Sequence, residues 1–288
     1  MNRWILLIGT NLLILVMLGI ALFVLQAVLG VQLSGFSGYL VFALLFGFGG
    51  AFISLAISKP MAKWSTRAKV IENPSNPTEQ WLMQAVARQA RGAGIKMPEV
   101  AVYPSPEPNA FATGATKSTS LVAVSQGLLD TMTRDEVEAV LAHEVSHVAN
   151  GDMVTMTLLQ GTLNTFVFLA ARAVGLFVDR VILRSDTGLG YFVGAIAAQI
   201  VFGLLASMVA MRFSRHREFR ADAGAAQLES PEKMIAALRK LDRRADEAEA
   251  SLPKTIQAFG ISGTFTGLFS SHPPIQARIE ALENFRQV

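Results

Sequence analysis

The chain has 288 residues, of which 51% are hydrophobic and only 16% are charged, and its mean hydropathy is +0.40. This composition excludes an ordinary soluble domain and fits several lipid-facing segments joined to a smaller water-facing part. The net charge of +3 is small, and the basic residues collect beside apolar segments instead of spreading over a nucleic-acid-binding surface. The absence of cysteine excludes disulfides and thiolate metal ligands. Any transition-metal site would therefore be built from His, Asp and Glu.

Four apolar segments are long enough to cross a bilayer, which requires about 20 residues. They cover residues 4–29, 38–58, 154–178 and 190–211. The first is too long for a signal peptide and lacks a convincing small-residue cleavage site, so we interpret it as an uncleaved anchor. The last two could instead form a buried hairpin lying on or partly in the membrane, but we expect both to span.

Basic residues beside these segments predict the orientation. Lys59 and Lys63 follow the second segment and Arg212 and Arg215 follow the fourth, whereas the short connection 30–37 carries no charge. By the positive-inside rule, the N-terminus, the stretch between the second and third segments, and the C-terminal tail all lie in the cytoplasm.

The predicted domains alternate between membrane and cytoplasm. Two transmembrane helices occupy residues 1–58, and the first part of a cytoplasmic domain occupies residues 59–153. The third and fourth transmembrane helices follow in residues 154–211, and the second part of the cytoplasmic domain occupies residues 212–288. All the chemistry then lies on one side of the membrane.

The cytoplasmic parts have the pattern of an α+β fold. Alternating apolar residues predict strands at 98–104, 109–114 and 120–129, forming a small antiparallel sheet with an exposed edge. Apolar residues at helical spacing predict a helix over 134–150, started by a capping box of Thr133 and Glu136. Further helices are predicted before the sheet, after the fourth apolar segment and at the end of the chain; they cover 78–94, 212–229, 231–249 and the residues after the "SHPP" of 271–274.

The helix over 134–150 contains the pattern His-Glu-x-x-His. His143 and His147 lie one turn apart on the same side of the helix, and Glu144 follows the first of them. Such a pair can bind Zn²⁺, with the glutamate beside the water that completes the coordination. The alternative is two histidines that merely share one face of a buried helix, but the independently predicted helix favours the metal site.

A catalytic zinc ion usually takes a third protein ligand and leaves its fourth position open. Candidates are His216, His272 and a carboxylate. We favour Glu218, because Asp222 follows it by one helical turn and could accept a hydrogen bond from a ligating imidazole. The alternative is that Glu218 is a solvated charge beside its basic neighbours.

The motifs "HEVSHVANGD", "SRHREFRADAGAAQL" and "SHPP", with two apolar segments before them and two between the first and second, resemble the HtpX family of integral-membrane zinc metalloproteases. That family is related to the prenyl-CAAX endoproteases. The resemblance implies a zincin-like fold, one Zn²⁺ per chain held by His143, His147 and Glu218, and Glu144 as the catalytic residue. It also implies that "PNAFATG" lies beside the active site, where an exposed edge strand would bind an extended peptide.

For the reaction, we expect Glu144 to act as general base on zinc-activated water. The oxyanion also needs a hydrogen-bond donor. His272 is one candidate, and Asn109 and Arg215 are weaker ones.

The resemblance implies ATP-independent quality control of unfolded or misfolded membrane proteins in the bacterial inner membrane during stress, overlapping with other membrane proteases. The chain contains no nucleotide-binding loop. Two alternatives stay open: a dedicated CAAX-type processing protease, and a non-catalytic, zinc-stabilised membrane scaffold or adaptor.

Overall fold

The computed structural model describes residues 35–184, 188–250 and 273–285, so the first predicted membrane segment and His272 lie outside the described residues. The chain divides into two compact units. One contains the described residues up to Leu55 together with Thr155–Ala210, and the other contains Ala56–Val154 and the described residues from Met211 onward.

The described elements are, in chain order, α1 (Gly35–Leu44), a π-helical turn (Leu45–Gly49), α2 (Gly50–Thr66), β1 (Lys69–Val70), α3 (Pro77–Gly92), β2 (Glu99–Tyr103), β3 (Ala110–Thr113), a 3₁₀ turn (Lys117–Thr119), β4 (Leu121–Ser125), α4 (Gln126–Thr131), α5 (Arg134–Asn150), α6 (Asp152–Phe177), a π-helical turn (Val178–Ile182), α7 (Leu189–Leu228), α8 (Pro231–Ala250) and α9 (Ile275–Phe285). The mixture of helices and a small sheet agrees with the predicted α+β class.

The four strands form one sheet in the order β1-β2-β4-β3. The predicted antiparallel sheet is wrong in one respect, because β2 and β4 are parallel while the other two pairs are antiparallel. After β2 the chain passes the neighbouring position and forms β3 at the edge, and β4 then returns between them. Two reversals of direction make β4 parallel to β2, which the alternation of residues along each strand does not reveal.

The third predicted strand is too long. Its residues 126–129 belong to α4, because the Ser125 hydroxyl accepts a hydrogen bond from the backbone N–H of Leu128 and starts a helix there.

The two faces of the sheet have different neighbours. Val100, Val122 and Val124 point into the main core, where they meet apolar residues of α3, α5 and α8. Alternate residues on the other face, including Tyr103 and Ala123, form a smaller cluster with Phe111. The period of two along each strand therefore places α5, which carries the His-Glu-x-x-His pattern, against the main core face.

The other unit consists of the helices around the predicted membrane segments. Within the described residues, two helices are long and apolar enough to cross a membrane: Leu40–Thr66 and Leu189–Leu228. Large apolar side chains of α7, among them Phe192, Ile200 and Leu204, are exposed, as expected for a surface covered by lipid.

The helix α6 is not one of these two helices, and it contains Gln160, Asn164 and Arg172. It is nevertheless a continuous helix of 26 residues. The number of four spans stays a prediction.

Candidate metal centre

The helix α5 begins and ends where its local sequence directs. The Thr133 hydroxyl accepts a hydrogen bond from the backbone N–H of Glu136, whose carboxylate accepts one from the backbone N–H of Thr133, so the predicted capping box is confirmed. Gly151 ends the helix in the left-handed conformation, with a φ of 71°, which favours glycine. This turn places Asp152 directly after the last residues of the motif helix.

The helix α7 contacts α5 closely. A Cβ atom added to Gly224 would lie 2.5 Å from Ser146 Oγ, and the neighbouring Ala221 and Ala225 are fully buried. These small residues let the two helices approach, and Glu218 lies on the same helix less than two turns earlier. Its side chain is buried as a result, with an exposed fraction of only 3% for the residue.

Three candidate ligand atoms converge. His143 Nε2 and His147 Nε2 are 3.1 Å apart, and each lies close to a carboxylate oxygen of Glu218, at 3.5 Å and 3.4 Å respectively. In a tetrahedral zinc site with bonds of about 2.0–2.1 Å, neighbouring ligand atoms are about 3.3–3.4 Å apart. The three residues therefore have the spacing of a metal site and could hold an ion.

Each histidine also has a carboxylate at its other ring nitrogen. Asp152 Oδ2 lies 2.7 Å from His147 Nδ1. Asp222 Oδ1 lies 2.9 Å from His143 Nδ1, although the ring nitrogen is not aligned for a regular hydrogen bond with it. Such carboxylates fix the orientation and tautomer of ligating imidazoles.

Both carboxylates are held by arginines. Arg278, on α9, donates two hydrogen bonds of 2.7 Å to Asp222, and Arg220 pairs with Asp152. Burial alone would raise the pKa of Asp222, but Arg278 and His143 outweigh it and lower that pKa. Burial would likewise raise the pKa of Asp152, but His147 and Arg220 outweigh burial and lower that pKa as well. Both groups are therefore anionic near neutral pH.

The histidines respond to this negative charge. Burial by itself would lower the pKa of His147, but Asp152 and Glu218 outweigh burial and raise the pKa to about 9. The pKa of His143 is raised too, since Asp222 and Glu218 overcome its burial. A pocket that holds protons this strongly also attracts a divalent cation, which competes for the same nitrogen atoms.

A cavity of about 330 Å³ opens beside the three ligand candidates. Glu144, partly exposed, lines it together with Asn109 and Ala110 at the start of β3. Leu128, Met234 and Ile275 supply apolar walls. The edge strand thus begins at the cavity that contains Glu144.

The other residues singled out in the sequence fall in different places. Asn109 borders the cavity, with its backbone N–H donating to Ser125 Oγ at 2.9 Å. Arg215 is partly buried, and it is not among the described residues that line the cavity. His216, the alternative third ligand, is exposed.

Sequence reasoning missed two residues. Asp152 is the final residue of the "HEVSHVANGD" motif, so its position directly after a helix-ending glycine was an available signal. Arg278 is 7% exposed and bridges α9 to Asp222 and, at 3.8 Å, to Glu218. No local pattern marks it, because its role depends on how the last helix packs.

A His-Glu-x-x-His helix completed by a glutamate from a second helix defines a metallopeptidase. Residues 76–286 match the family model "Peptidase family M48". "Protease HtpX" of Aeromonas hydrophila subsp. hydrophila is 55% identical over 98% of this chain and 99% of its own length. "Protease HtpX" of Alkalilimnicola ehrlichii is 53% identical over 97% of this chain and 96% of its own length.

A solved structure has the same fold at low identity. The crystal structure of S. mikatae Ste24p superimposes with a TM-score of 0.61 and 18% identity, covering 93% of this chain and 67% of that one. The chain belongs to peptidase family M48 and, within it, to the HtpX family of membrane metalloproteases. It is a peptide-bond hydrolase, which sets aside the non-catalytic scaffold alternative.

Proposed function

We propose that this protein is a zinc metalloendopeptidase that cleaves misfolded or damaged membrane proteins at the cytoplasmic face of the bacterial inner membrane, without ATP. One observation carries the proposal. His143 Nε2, His147 Nε2 and the Glu218 carboxylate converge within 3.1–3.5 Å of one another, beside a cavity lined by Glu144.

The donor set supports zinc as the metal. Two imidazole nitrogens and one carboxylate suit Zn²⁺ in a catalytic site, and they leave one coordination position for a reactant. When bound there, the ion would lower the pKa of water and polarise the scissile carbonyl group. Asp152 and Asp222 would hold His147 and His143 in the tautomer that presents Nε2.

Glu144 would move the proton, and its position in the lining of the cavity supports this role. Its carboxylate would accept a proton from the attacking water and deliver it to the leaving amine. Asn109 is the oxyanion-stabilising candidate that borders the cavity, while His272 and Arg215 keep that role only as predictions. The edge of β3 supports binding of an extended substrate, whose backbone would add as a further strand.

The substrate class follows from the form of this edge. Strand addition uses backbone hydrogen bonds, so it favours unfolded segments over particular sequences. Together with the apolar helices, this supports misfolded membrane proteins as substrates and the lipid bilayer as the surroundings.

The test compares the wild type with Glu144→Gln on an unfolded membrane-protein substrate, with added zinc and with a chelator. We expect the variant to bind zinc but to lose at least 10²-fold in the cleavage rate, because the general base is absent. The matched control, Glu107→Gln, changes an exposed glutamate of the loop before β3 and should cleave normally. If Glu144→Gln cleaved the substrate at the wild-type rate, the proposed mechanism would be contradicted.

The third ligand and the rival function have separate tests. Glu218→Ala should lose zinc measured by metal analysis, and full occupancy would contradict its assignment. A prenylated CAAX peptide cleaved in preference to the unfolded membrane protein would favour the processing alternative.

A further inference from the structure

A second cavity lies within the unit of apolar helices. It has a volume of about 390 Å³ and is lined by residues of the first π-helical turn, α6 and α7, among them Gly47, Gln160, Asn164, Phe168, Gln199 and Gly203. One water molecule occupies about 30 Å³ in the liquid, so the cavity volume is more than ten times larger. The cavity is therefore large enough for a side chain.

Three amides line this cavity: Asn164 and Gln199 lie near the middle of their apolar segments, and Gln160 lies nearer the start of its segment. Gln199 is separated from the ends of segment 190–211 by about 13 Å and 18 Å of helical rise. Gln160, Asn164 and Gln199 are all exposed in the structure, despite their position in an apolar unit. In a bilayer, polar side chains at this depth are costly and typically mark a functional contact.

The amides are already ordered but have bonding capacity left. Gln160 Nε2 donates to Asn164 Oδ1 at 2.8 Å, and Arg172 donates to Gln199 Oε1 at 3.3 Å. Each amide offers two N–H donors and an oxygen with two lone pairs, so these bonds leave further donors and acceptors on all three. None of the described lining residues is ionisable, and the nearby Arg172 guanidinium stacks on Phe168 at 3.9 Å. The chemistry thus favours a neutral polar group over an ion.

Gly203 shows that the cavity is open to a ligand. Among the described residues, none has an atom within 4 Å of a Cβ atom added there. Other glycines of the same unit are in tight contact: added Cβ atoms would lie 2.0 Å from Thr165 Oγ1 at Gly47 and 2.6 Å from Phe48 at Gly161. Helix packing therefore explains those two glycines, but it does not explain Gly203.

We infer that this cavity binds a transmembrane segment of a substrate through a neutral polar side chain, such as an asparagine or glutamine, at mid-membrane depth. In an assembled membrane protein such a side chain pairs with a neighbouring helix, whereas in an orphan subunit it is unpaired. The amides of α6 and α7 replace that missing partner. The inference rests on the proposed function and specifies which membrane proteins the protease selects.

The experiment uses the full chain in lipid nanodiscs and two model substrates, each with one transmembrane segment and the same unfolded cytoplasmic tail. One segment is leucine-rich, and the other has a single central asparagine. Since the chain contains no cysteine, Gly203→Cys in the Glu144→Gln background reports binding by crosslinking to a cysteine beside that asparagine. We expect the asparagine substrate to bind about tenfold more tightly, from one or two interhelical hydrogen bonds.

Three variants separate the contributions. Gly203→Leu fills the open cavity, and Asn164→Leu removes an amide; both should abolish the preference for asparagine. Ala197→Leu places the same leucine side chain at an exposed position of α7 outside the described lining, and it should keep the preference. Cleavage of a soluble unfolded protein should be the same in all three variants and the wild type.

The outcomes are distinct. If the wild type cleaves neither substrate nor the soluble protein, the proposed function fails. If it cleaves the soluble protein and binds both membrane substrates equally, the inference about the cavity is overturned. A disulfide from Gly203→Cys to a second cysteine introduced within residues 4–29, or between the Gly203→Cys residues of two copies, formed in the presence of substrate, would also overturn it.

Discussion

Asp152 and Asp222 belong to the metal centre as much as the residues that would touch the ion. Each contacts the Nδ1 atom of one histidine, and each is held by an arginine. The Nε2 atoms are thereby directed toward Glu218. The geometry of the three ligand candidates depends on these neighbours, because a free imidazole ring would rotate about its χ angles.

Asp152→Asn tests this dependence. We expect zinc affinity to fall about 10–100-fold, since the amide keeps the shape but loses the negative charge that supports His147. Competition titration with a chromogenic chelator measures it, and circular dichroism checks the fold. Asp130→Asn, at an exposed aspartate of α4, is the control, and equal affinity in both variants would contradict the role of Asp152.

At the scale of elements, the distance between α5 and α7 decides whether Glu218 reaches the histidines. Gly224 permits the contact, because any side chain there would collide with Ser146. A larger residue at this position must push the two helices apart. That movement would displace Glu218 from the histidines, although the substitution does not alter Glu218 itself.

Gly224→Leu should therefore reduce zinc occupancy and proteolysis by more than tenfold although no ligand is altered, as the helices separate. The control is Gln227→Leu, which adds a leucine at an exposed position of the same helix. Metal analysis of the two purified variants decides: normal occupancy in Gly224→Leu would show that the close approach is dispensable.

A second contact between elements joins α3, α5 and α8. Glu138 accepts hydrogen bonds from Trp81 at 2.8 Å and Lys233 at 3.2 Å. Burial would raise its pKa, but Trp81, Lys233 and Arg88 together lower it below the ordinary value of 4.5. A carboxyl group with a lowered pKa contributes stability above pH 4.5 and loses that contribution as the pH falls through the folded-state pKa.

We expect Glu138→Gln to reduce the free energy of unfolding by about 1–2 kcal/mol at pH 7. The deficit should narrow as the pH falls below 4.5, where the wild-type carboxyl also becomes neutral. Denaturant unfolding of the full chain in detergent at several pH values measures both. A deficit that is constant down to pH 3 would show that the charge of Glu138 does not stabilise the fold.

For the whole molecule, the positive flanks predict which parts face the cytoplasm. Because the chain has no cysteine, single cysteines report the topology without background. Ser75→Cys should react with a membrane-impermeant maleimide only after permeabilisation of spheroplasts, whereas Arg184→Cys, between the third and fourth segments, should react without it. The reverse pattern would invert the proposed orientation, and equal labelling of both would contradict the one predicted span between them, residues 154–178.

The sequence by itself determined the motif helix, its capping box, its end at Gly151 and the choice of Glu218 over His216 as the residue to test. These features depend on spacing along one helix and on local backbone preferences, which a single sequence contains. It also determined the apolar character of the membrane unit, since hydropathy needs only composition.

Only the tertiary structure decided the parallel pairing of β2 with β4, the carboxylate of Asp152 on His147 and the bridge from Arg278 to Asp222. The order of strands depends on which neighbour each strand meets in space, and neither spacing nor composition encodes it. Asp152 and Arg278 acquire their roles from contacts between residues that the chain folds together from different elements. Local patterns therefore identified the candidate ligands, while the packing of helices distant in sequence determined which residues fix the positions of those ligands.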